Sequence, residues 1–566
     1  MKPAIAPLKR ADLEQLLERV RTALGETDYQ TLKAVVETLA YLTQVAEAKQ
    51  TTIQHLRRLL FGGSTEKTRT VLMVLTQLAE AAPDPTAAAD PASRREGALE
   101  PAPGEPSPAP RRDPAEPAAP PNAKGHGRNG AEAYRGAEKI RVRHDAIKAG
   151  AACPGCLKGK VYGTAHPGVL VRIVGQAPLQ AKVYELEKLR CNLCGEVFTA
   201  DPPAGVGAEK YDATAGSMIG LLKYGSGLPF YRQEQLQESL EIPLPASTQW
   251  GIVRDVARVL EPAYAELIRE AAQGDVLHND DTGMTILAMG KRPTREAVTA
   301  DPAERTGVFT SGIVSTRAGQ RIALFFTGRQ HAGENLAMVL AQRAAALGPP
   351  IQMCDALSRN LPGELAVIVA NCVAHARRKF IEVAPNFPAE CRHVLETLGA
   401  VYQHDALARE RELSPDERVR FHAAHSGPLM DGLKEWLSRQ LEERTVEPNS
   451  GLGQAIAYML KHWTKLTLFL REPGAPLDNN LCERALKKAI LHRKNALFFK
   501  TAHGAHVGDV FMSLIHTCQL AGANPFDYLT ELQRHAAELA ATPQAWMPWN
   551  YRQTLERACA PRPASD

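Results

Sequence analysis

Apolar residues in the first sixty positions recur in steps of three and four. Leu13, Leu16, Leu17 and Val20 accompany Asp12 and Gln15, whose spacing fits a capping box at a helix start. Leu32, Val35, Leu39, Leu42, Ala46, Lys49, Ile53, Leu56 and Leu60 continue the alternation, with Lys49 the sole polar member. That seam fits a coiled coil joining two copies of the chain, and it also fits a helical hairpin packed on its own domain. Periodicity then stops. Residues 81–123 hold twelve of the forty prolines, and Leu99 is their only Val, Ile, Leu, Met or Phe. Such a stretch cannot bury enough apolar area to offset its ordering entropy, so a disordered linker is expected.

Helical periodicity returns over residues 214–272. Two amphipathic segments, 231–240 and 247–260, flank the turn Ile242-Pro243-Leu244-Pro245, with Ser247 or Thr248 placed to cap the second. The pair reads as a helix-turn-helix that could lay its second helix on DNA, or as a hairpin in a core. From residue 274 the period shortens to two. Strands are expected at 276–287, 308–314, 322–326, 349–354 and 366–370, with a Gly-containing turn over 317–320 and a helix over 335–346. Three hairpin-like strands, then a helix and further strands, form the layout of a ribonuclease-H-like mixed sheet.

Composition changes this picture little. A hydrophobic fraction of 44% with 23% charged residues is ordinary for a soluble globular chain, and a net charge of +4 does not by itself call for a nucleic-acid partner. The longest apolar run, residues 366–374, is far short of the roughly 18 residues of a membrane span. Asp12, Glu14 and Glu18 interrupt any secretory signal, so a cytoplasmic protein without membrane contact is expected.

The cysteines are more informative. Cys153-Pro-Gly-Cys156 and Cys191-Asn-Leu-Cys194 are two Cys-x-x-Cys pairs in a chain with no export signal. Two such turns present four sulfurs to one tetrahedral ion and leave no open position, which describes a structural zinc. The intervening stretches 169–174 and 182–186 read as strands. A basic run with Arg135, Lys139, Arg141 and Arg143 precedes the module; it suits phosphate contact or a solvated face.

Three carboxylates carry the candidate chemistry. In a sheet of the expected layout the first and fourth strands lie side by side, which brings Asp280 toward Asp355. Carboxylates held close repel unless a cation sits between them, and all-oxygen ligation suits magnesium or manganese. Glu483 falls near the start of a helix that Asp478 or Asn479 would cap. Residues 484–500 then hold six Lys or Arg and no acid, among them Arg484, Lys487, Lys488, Arg493 and Lys494. An acid beside a basic helix fits a metal-binding carboxylate next to a DNA phosphate track. His375, Arg377, Arg378 and Lys379 form a second basic group suited to phosphate contact or to a plain basic helix start.

With these residues in view, the chain resembles the transposases of the insertion sequence 66 family of bacterial mobile elements. The likeness rests on LLFGGSTEK (residues 59–67), the double Cys-x-x-Cys module, KYGSGLPFYRQEQL (223–236) and HNDDT (278–282). It continues through CVAHARRKF (372–380), LDNNLCERAL (477–486), HRKNALF (492–498) and MPWNY (547–551). The resemblance implies a ribonuclease-H-like core with a helical insertion at about 380–470, and DNA strand cleavage and transfer at element ends. It places Asp280, Asp355 and Glu483 on the family's three catalytic, magnesium-binding positions, and it implies companion proteins from the same element. Two departures stand out. The family pattern His-Ala-Asp-Glu-Thr here has Asn279 and Asp281, and its Asp-Gly-Tyr reads Asp355-Ala356-Leu357. Those changes keep open a domesticated relative that binds DNA without cutting it.

The expected architecture is thus α+β and multidomain. It comprises an N-terminal helical region (1–80), the linker (81–123), a zinc module (124–210) and a helical, helix-turn-helix-like region (211–273). A catalytic domain with its insertion (274–530) and a C-terminal tail (531–566) complete it.

Overall fold

The computed structural model describes residues 148–154, 156, 158–162, 176–190, 197–207, 209–290 and 307–559. The heptad seam, the linker, the basic run at 135–143, the stretch 169–174 and the pair Cys191 and Cys194 lie outside them. The described residues fall into a small unit within 85–177 and a main body from residue 178 onward.

In the small unit an antiparallel bridge between Ala152 and Lys160 closes a loop around the first cysteine pair. Cys153 N–H donates to the Gly159 carbonyl at 2.7 Å, and Gly159 N–H points at Cys156 Sγ at 3.5 Å. The hydrogen bonds from Gly159 and then Lys158 hold the Cys156 thiol below its ordinary range. Neither cysteine is in a disulfide. A turn that aims amide N–H groups at sulfur stabilises thiolate, the form that binds metal.

The main body begins with a short hairpin, β1 (Lys188–Arg190) and β2 (Val197–Thr199). Three helices follow: α1 (Ala213–Gly220), α2 (Phe230–Ser239) and α3 (Ala246–Ala272). The second helix of the expected helix-turn-helix starts earlier than the sequence suggests. Pro245 occupies the N-cap, and Ser247 and Thr248 lie inside the helix without capping it. Prolines fix the backbone dihedral ahead of the first turn, so a side-chain cap is not required there. Val253, Val256, Leu260, Ala263, Leu267 and Ala271 are buried along one side, making α3 a core helix over most of its length.

A five-stranded mixed sheet forms the centre, in the order β5-β4-β3-β6-β7. Strands β3 (Val276–Gly283), β4 (Phe309–Arg317) and β5 (Gln320–Gly328) are antiparallel neighbours. The β4–β5 turn uses Ala318 and Gly319, both at positive φ (46° and 82°), as tight two-residue hairpins require. Helix α4 (Ala332–Leu340) crosses to β6 (Ile351–Cys354) and β7 (Ile368–Asn371), which run parallel to β3.

Helix α12 (Ala502–Ala521) closes the β5 edge in an unusual way. Phe325 N–H donates to Ser513 Oγ at 2.9 Å, Thr327 N–H to Asp509 Oδ2 at 2.7 Å, and Ala323 N–H to Thr517 Oγ1 at 3.1 Å. Four helical residues rise about 6 Å and two strand residues about 6.7 Å, so polar side chains four apart meet alternate amides. An otherwise unpaired strand edge is thereby satisfied by side chains.

Beyond β7 come α5 (Val373–Val383) and a helical insertion of α6 (Pro388–Glu410), α7 (Pro415–His425), α8 (Gly427–Glu442) and α9 (Gly451–Lys461), followed by the single turn α10 (Trp463–Leu466). Their buried apolar residues join Val276, Ile351 and Met353 in one cluster. Helix α11 (Asn480–Ala496) returns to the sheet. Its residues Cys482, Ala485, Leu486 and Ala489 join α3, α12 and the antiparallel strands in a second cluster. No described helix is long and apolar enough to cross a membrane.

Candidate active site

Strand β3 carries the first carboxylate. Its parallel pairing with β6 sets Val276 beside Ile351 and His278 beside Met353. Continued two residues, that register brings Asp355, the residue after β6, level with Asp280. On the other side of β3, Asp280 pairs with Gly312 of β4. Antiparallel partners project to one face, so any side chain at 312 would stand next to Asp280.

Glycine at 312 matters because α11 lies there. A Cβ on Gly312 would come within 2.9 Å of Leu486 Cγ and 3.5 Å of Cys482 Sγ. The Cys482 thiol donates to the Gly312 carbonyl at 3.2 Å. The absent side chain therefore lets the helix settle directly on the sheet. Glu483, in its first turn, follows Cys482.

Asn479 fixes the start of that helix. It occupies the N-cap position, yet its side chain makes no capping bond. Instead its Nδ2 donates to the Asn279 carbonyl at 3.1 Å, its Oδ1 lies 3.2 Å from His278 Nδ1, and its N–H points at Cys372 Sγ at 3.2 Å. Asp478 takes the local turn by accepting from Asn480 N–H at 3.1 Å. The residue type expected at a cap is thus present and spends its hydrogen bonds tying α11 to β3 and α5.

Asp355 is oriented by a buried amide network. Its Oδ1 accepts from Asn360 Nδ2 at 2.5 Å and from Leu357 N–H at 3.0 Å. The Asn360 carbonyl accepts from Asn279 Nδ2 at 2.8 Å and Gln352 Nε2 at 2.6 Å, and Gln352 also reaches Asn279 Oδ1. Asn279, Gln352 and Asn360 are all fully buried. Asp281 projects away from Asp280 along the strand. It lies 2.9 Å from His331 Nδ1 and 3.3 Å from an Arg359 nitrogen, nearly out of solvent.

The electrostatics set Asp280 apart. Burial first, then the charges of Asp355, Asp281 and Glu483, push its carboxyl up to about 7, although the Asp281 N–H acts against that. Among the described residues no Lys or Arg pairs with Asp280, Asp355 or Glu483. The contact to Glu483 is His375, with Nδ1 3.7 Å from Oε1, and neither atom makes a hydrogen bond. Half-buried acids without cationic partners are of the type that suits a hard divalent ion.

Beside Asp355 opens a cleft of about 250 Å³ whose polar lining includes His375, Arg378, Lys379, Glu382 and Tyr458. Lys379 Nζ sits 4.4 Å from the Tyr458 ring centre. Arg377 lies on the buried side of α5. On α11, Arg484, Lys487 and Lys494 are exposed and Lys488 is half-buried. Arg493 donates to Thr282 Oγ1 at 3.1 Å and to the Gly283 carbonyl, tying the helix to the end of β3.

The family model for the IS66 transposases matches residues 211–507, more than half of the 566-residue chain. The chain belongs to the IS66 transposase family. Two relatives come from Sinorhizobium fredii (strain NBRC 101917 / NGR234), both described as uncharacterized proteins. The chain is 28% identical to y4jD over 386 residues, covering 64% of this chain and 71% of the relative. It is 28% identical to y4hP over 407 residues, covering 67% and 69%.

In this IS66-family chain β3, the end of β6 and α11 bring the three sequence-selected carboxylates into one neighbourhood, though their oxygens do not all fall within 4.8 Å of one another. Several residues around them carried no sequence signal of their own. Gly312 is one glycine among forty-two. Asn360 and Gln352 lie in segments of ordinary composition, and Tyr458 comes from the insertion. Cys372 could have been found, since Cys-x-x-His spans one turn and puts two metal-ligating types on neighbouring positions.

Proposed function

We propose that this transposase-family chain is a metal-dependent DNA strand transferase on a ribonuclease-H-like core, with Asp280, Asp355 and Glu483 holding magnesium or manganese. The observation carrying this reading is that β3, the end of β6 and α11 bring three carboxylates into one neighbourhood, none of them salt-bridged to a Lys or Arg among the described residues. The fit to a hard ion rests on their oxygen-only chemistry and on the buried Glu483 Oε1, which lacks a hydrogen-bond partner. Asp280, Asp355 and Glu483 would hold such ions, whose chemistry there would be activation of water or a 3′-hydroxyl and neutralisation of charge on a leaving oxygen.

The protein's own part is positioning. β3 is an inner strand and fixes Asp280; the Asn360 amide and Leu357 N–H orient Asp355; Asn479 and Gly312 seat the helix bearing Glu483. Arg378 and Lys379 line the cleft beside Asp355, where they can meet a phosphate. Arg484, Lys487, Lys488 and Lys494 extend positive charge along α11, suited to a DNA backbone leaving the site. The four-cysteine module would hold structural zinc, and the N-terminal seam would join protomers. Companion proteins of the same element and a cytoplasmic setting complete the reading.

A domesticated, non-cutting DNA binder was motivated by the altered residues around the first two aspartates. That motive weakens because Asn279 belongs to the network that orients Asp355, and Asp281 is held by His331 and Arg359. The deciding experiment is movement of a marked element with native ends and neighbouring frames. Asp280→Asn, Asp355→Asn and Glu483→Gln should each abolish movement while end binding persists. Retained movement in any one removes that residue from the site. No movement by the wild type, with binding intact and companions present, supports the domesticated binder instead.

A further inference from the structure

Glu483 faces two different donor sets. On the sheet side, its charge and that of Asp355 both act on Asp280. Toward α5 lie Cys372 and His375, and the sulfur, nitrogen and oxygen donors of Cys372, His375 and Glu483 all fall within 4.8 Å of one another. Cys372 occupies the N-cap of α5 and His375 its first turn, so their spacing converges two donors on the helix entrance. His375 Nδ1 and Glu483 Oε1 are 3.7 Å apart, too far for a hydrogen bond, and both atoms are buried without any partner. Two ligands of a tetrahedral zinc lie roughly 3.4 Å apart, so small side-chain movements would close the set.

We propose that Cys372, His375 and Glu483 form a second metal site, selective for zinc-class ions, which shares Glu483 with the three-carboxylate site. The claim of sharing rests on the strand-transfer reading above. Thiolate and imidazole favour zinc, cobalt or iron over magnesium, whereas Asp280 and Asp355 offer only hard oxygens. Three protein ligands leave a fourth position of a tetrahedral ion open, and His375 also lines the cleft. A carboxylate committed to the softer ion is withdrawn from the harder pair. Occupation of this site therefore switches strand transfer off, and magnesium or manganese opposes it.

The test uses the full-length chain and cobalt as the probe. Metal equivalents and the sulfur-to-cobalt charge-transfer band are compared among wild type, Cys372→Ser, His375→Ala, Glu483→Gln and Asp280→Asn. The Cys-x-x-Cys pairs are unchanged in all five and cancel in difference spectra. Wild type and Asp280→Asn should hold one more cobalt than the other three, and the band should fall most in Cys372→Ser. Excess manganese should displace that cobalt from wild type and do so less well from Asp280→Asn. Far-ultraviolet circular dichroism checks folding, and the half-exposed His375 provides a readout if Cys372→Ser does not fold. Equal stoichiometry in wild type and His375→Ala, or cobalt that excess manganese leaves in place, overturns the proposal. Because cobalt binding is read without DNA, a chain that binds cobalt as expected but cuts nothing would refute the strand-transfer reading alone.

Discussion

Asp280, half-buried in the sheet, and Asp405, buried in the helical insertion, have opposite surroundings. Asp405 accepts from Arg418, lies 2.6 Å from an Arg409 nitrogen and 3.4 Å from His422 Nε2. Burial raises its pKa, but His422 and the Arg418 and Arg409 charges outweigh burial and hold the carboxyl below its ordinary range. Asp280 has burial and three further carboxylates, and it is pushed up to about 7. One acid is neutralised by the protein itself. The other has no Lys or Arg partner among the described residues. That contrast separates a structural ion cluster from a candidate metal site, where burial alone would not.

The widest separation between the two should come from exchanging each acid for its amide. Asp280→Asn should lower DNA strand transfer by about a thousandfold or more, since metal-borne charge stabilisation amounts to several kcal/mol, and should leave the metal-free fold at least as stable. Asp405→Asn should do the reverse. Breaking a buried cluster that leaves Arg418 unpaired costs about 3 kcal/mol, while turnover per folded molecule stays unchanged. Urea unfolding and strand-transfer assays on the same preparations check both. Large stability loss in Asp280→Asn, or lost turnover in folded Asp405→Asn, would erase the distinction.

A smaller effect probes how Glu483 reaches the sheet. Gly312→Val adds a side chain where even a Cβ lies 2.9 Å from Leu486 Cγ. Helix α11 must then lift, and displacement of a reacting group by about 1 Å costs roughly a hundredfold in rate. Overpacking should cost stability only about 1–3 kcal/mol. Asp405, Arg409, Arg418 and His422 lie on α6 and α7, and Gly312 lies on β4, so the Asp405 ion cluster should be unaffected. Wild-type strand transfer in Gly312→Val would show that the close approach is unnecessary.

How much of this was legible in the residues follows the range of the forces involved. The sheet strands and the β4–β5 turn follow from local alternation and Gly319, and the structure forms them within a few residues of expectation. The acid–base contrast between Asp280 and Asp405 was not legible, because Arg418 and His422 approach Asp405 from another helix. The Asp509, Ser513 and Thr517 stripe carries no meaning in the sequence, because its role depends on which strand is an edge. Type and position offer Asp478 or Asn479 as the cap of α11; the partners of Asn479, at residues 278, 279 and 372, are set by tertiary packing alone.

The smallest effect is thermodynamic and distinguishes the two aspartates by pH. In metal-free protein the raised Asp280 keeps its proton in the folded state while the unfolded chain has already lost it. The folded state is therefore favoured at low pH, and that advantage disappears as pH climbs from about 4 to about 7. Asp509, also pushed up to about 7 by burial, contributes a slope of the same sign, so the Asp280 part is read as a difference. Relative to wild type, Asp280→Asn should gain about 1–2 kcal/mol across that window and no more above it, below the ceiling of about 1.4 kcal/mol per pKa unit because water and relaxation soften burial. Asp405 has the opposite sign. Its depressed carboxyl stabilises the fold above the ordinary aspartate range, and the contribution is lost only as pH falls below about 4. Asp405→Asn should thus converge toward wild type in acid, and Asp280→Asn should diverge from it toward neutrality. Magnesium should then close the neutral gap, since an ion bound to the native wild type adds stability that the amide variant cannot gain to the same extent. A gap that magnesium leaves unchanged would mean the Asp280 charge is relieved by something other than a metal.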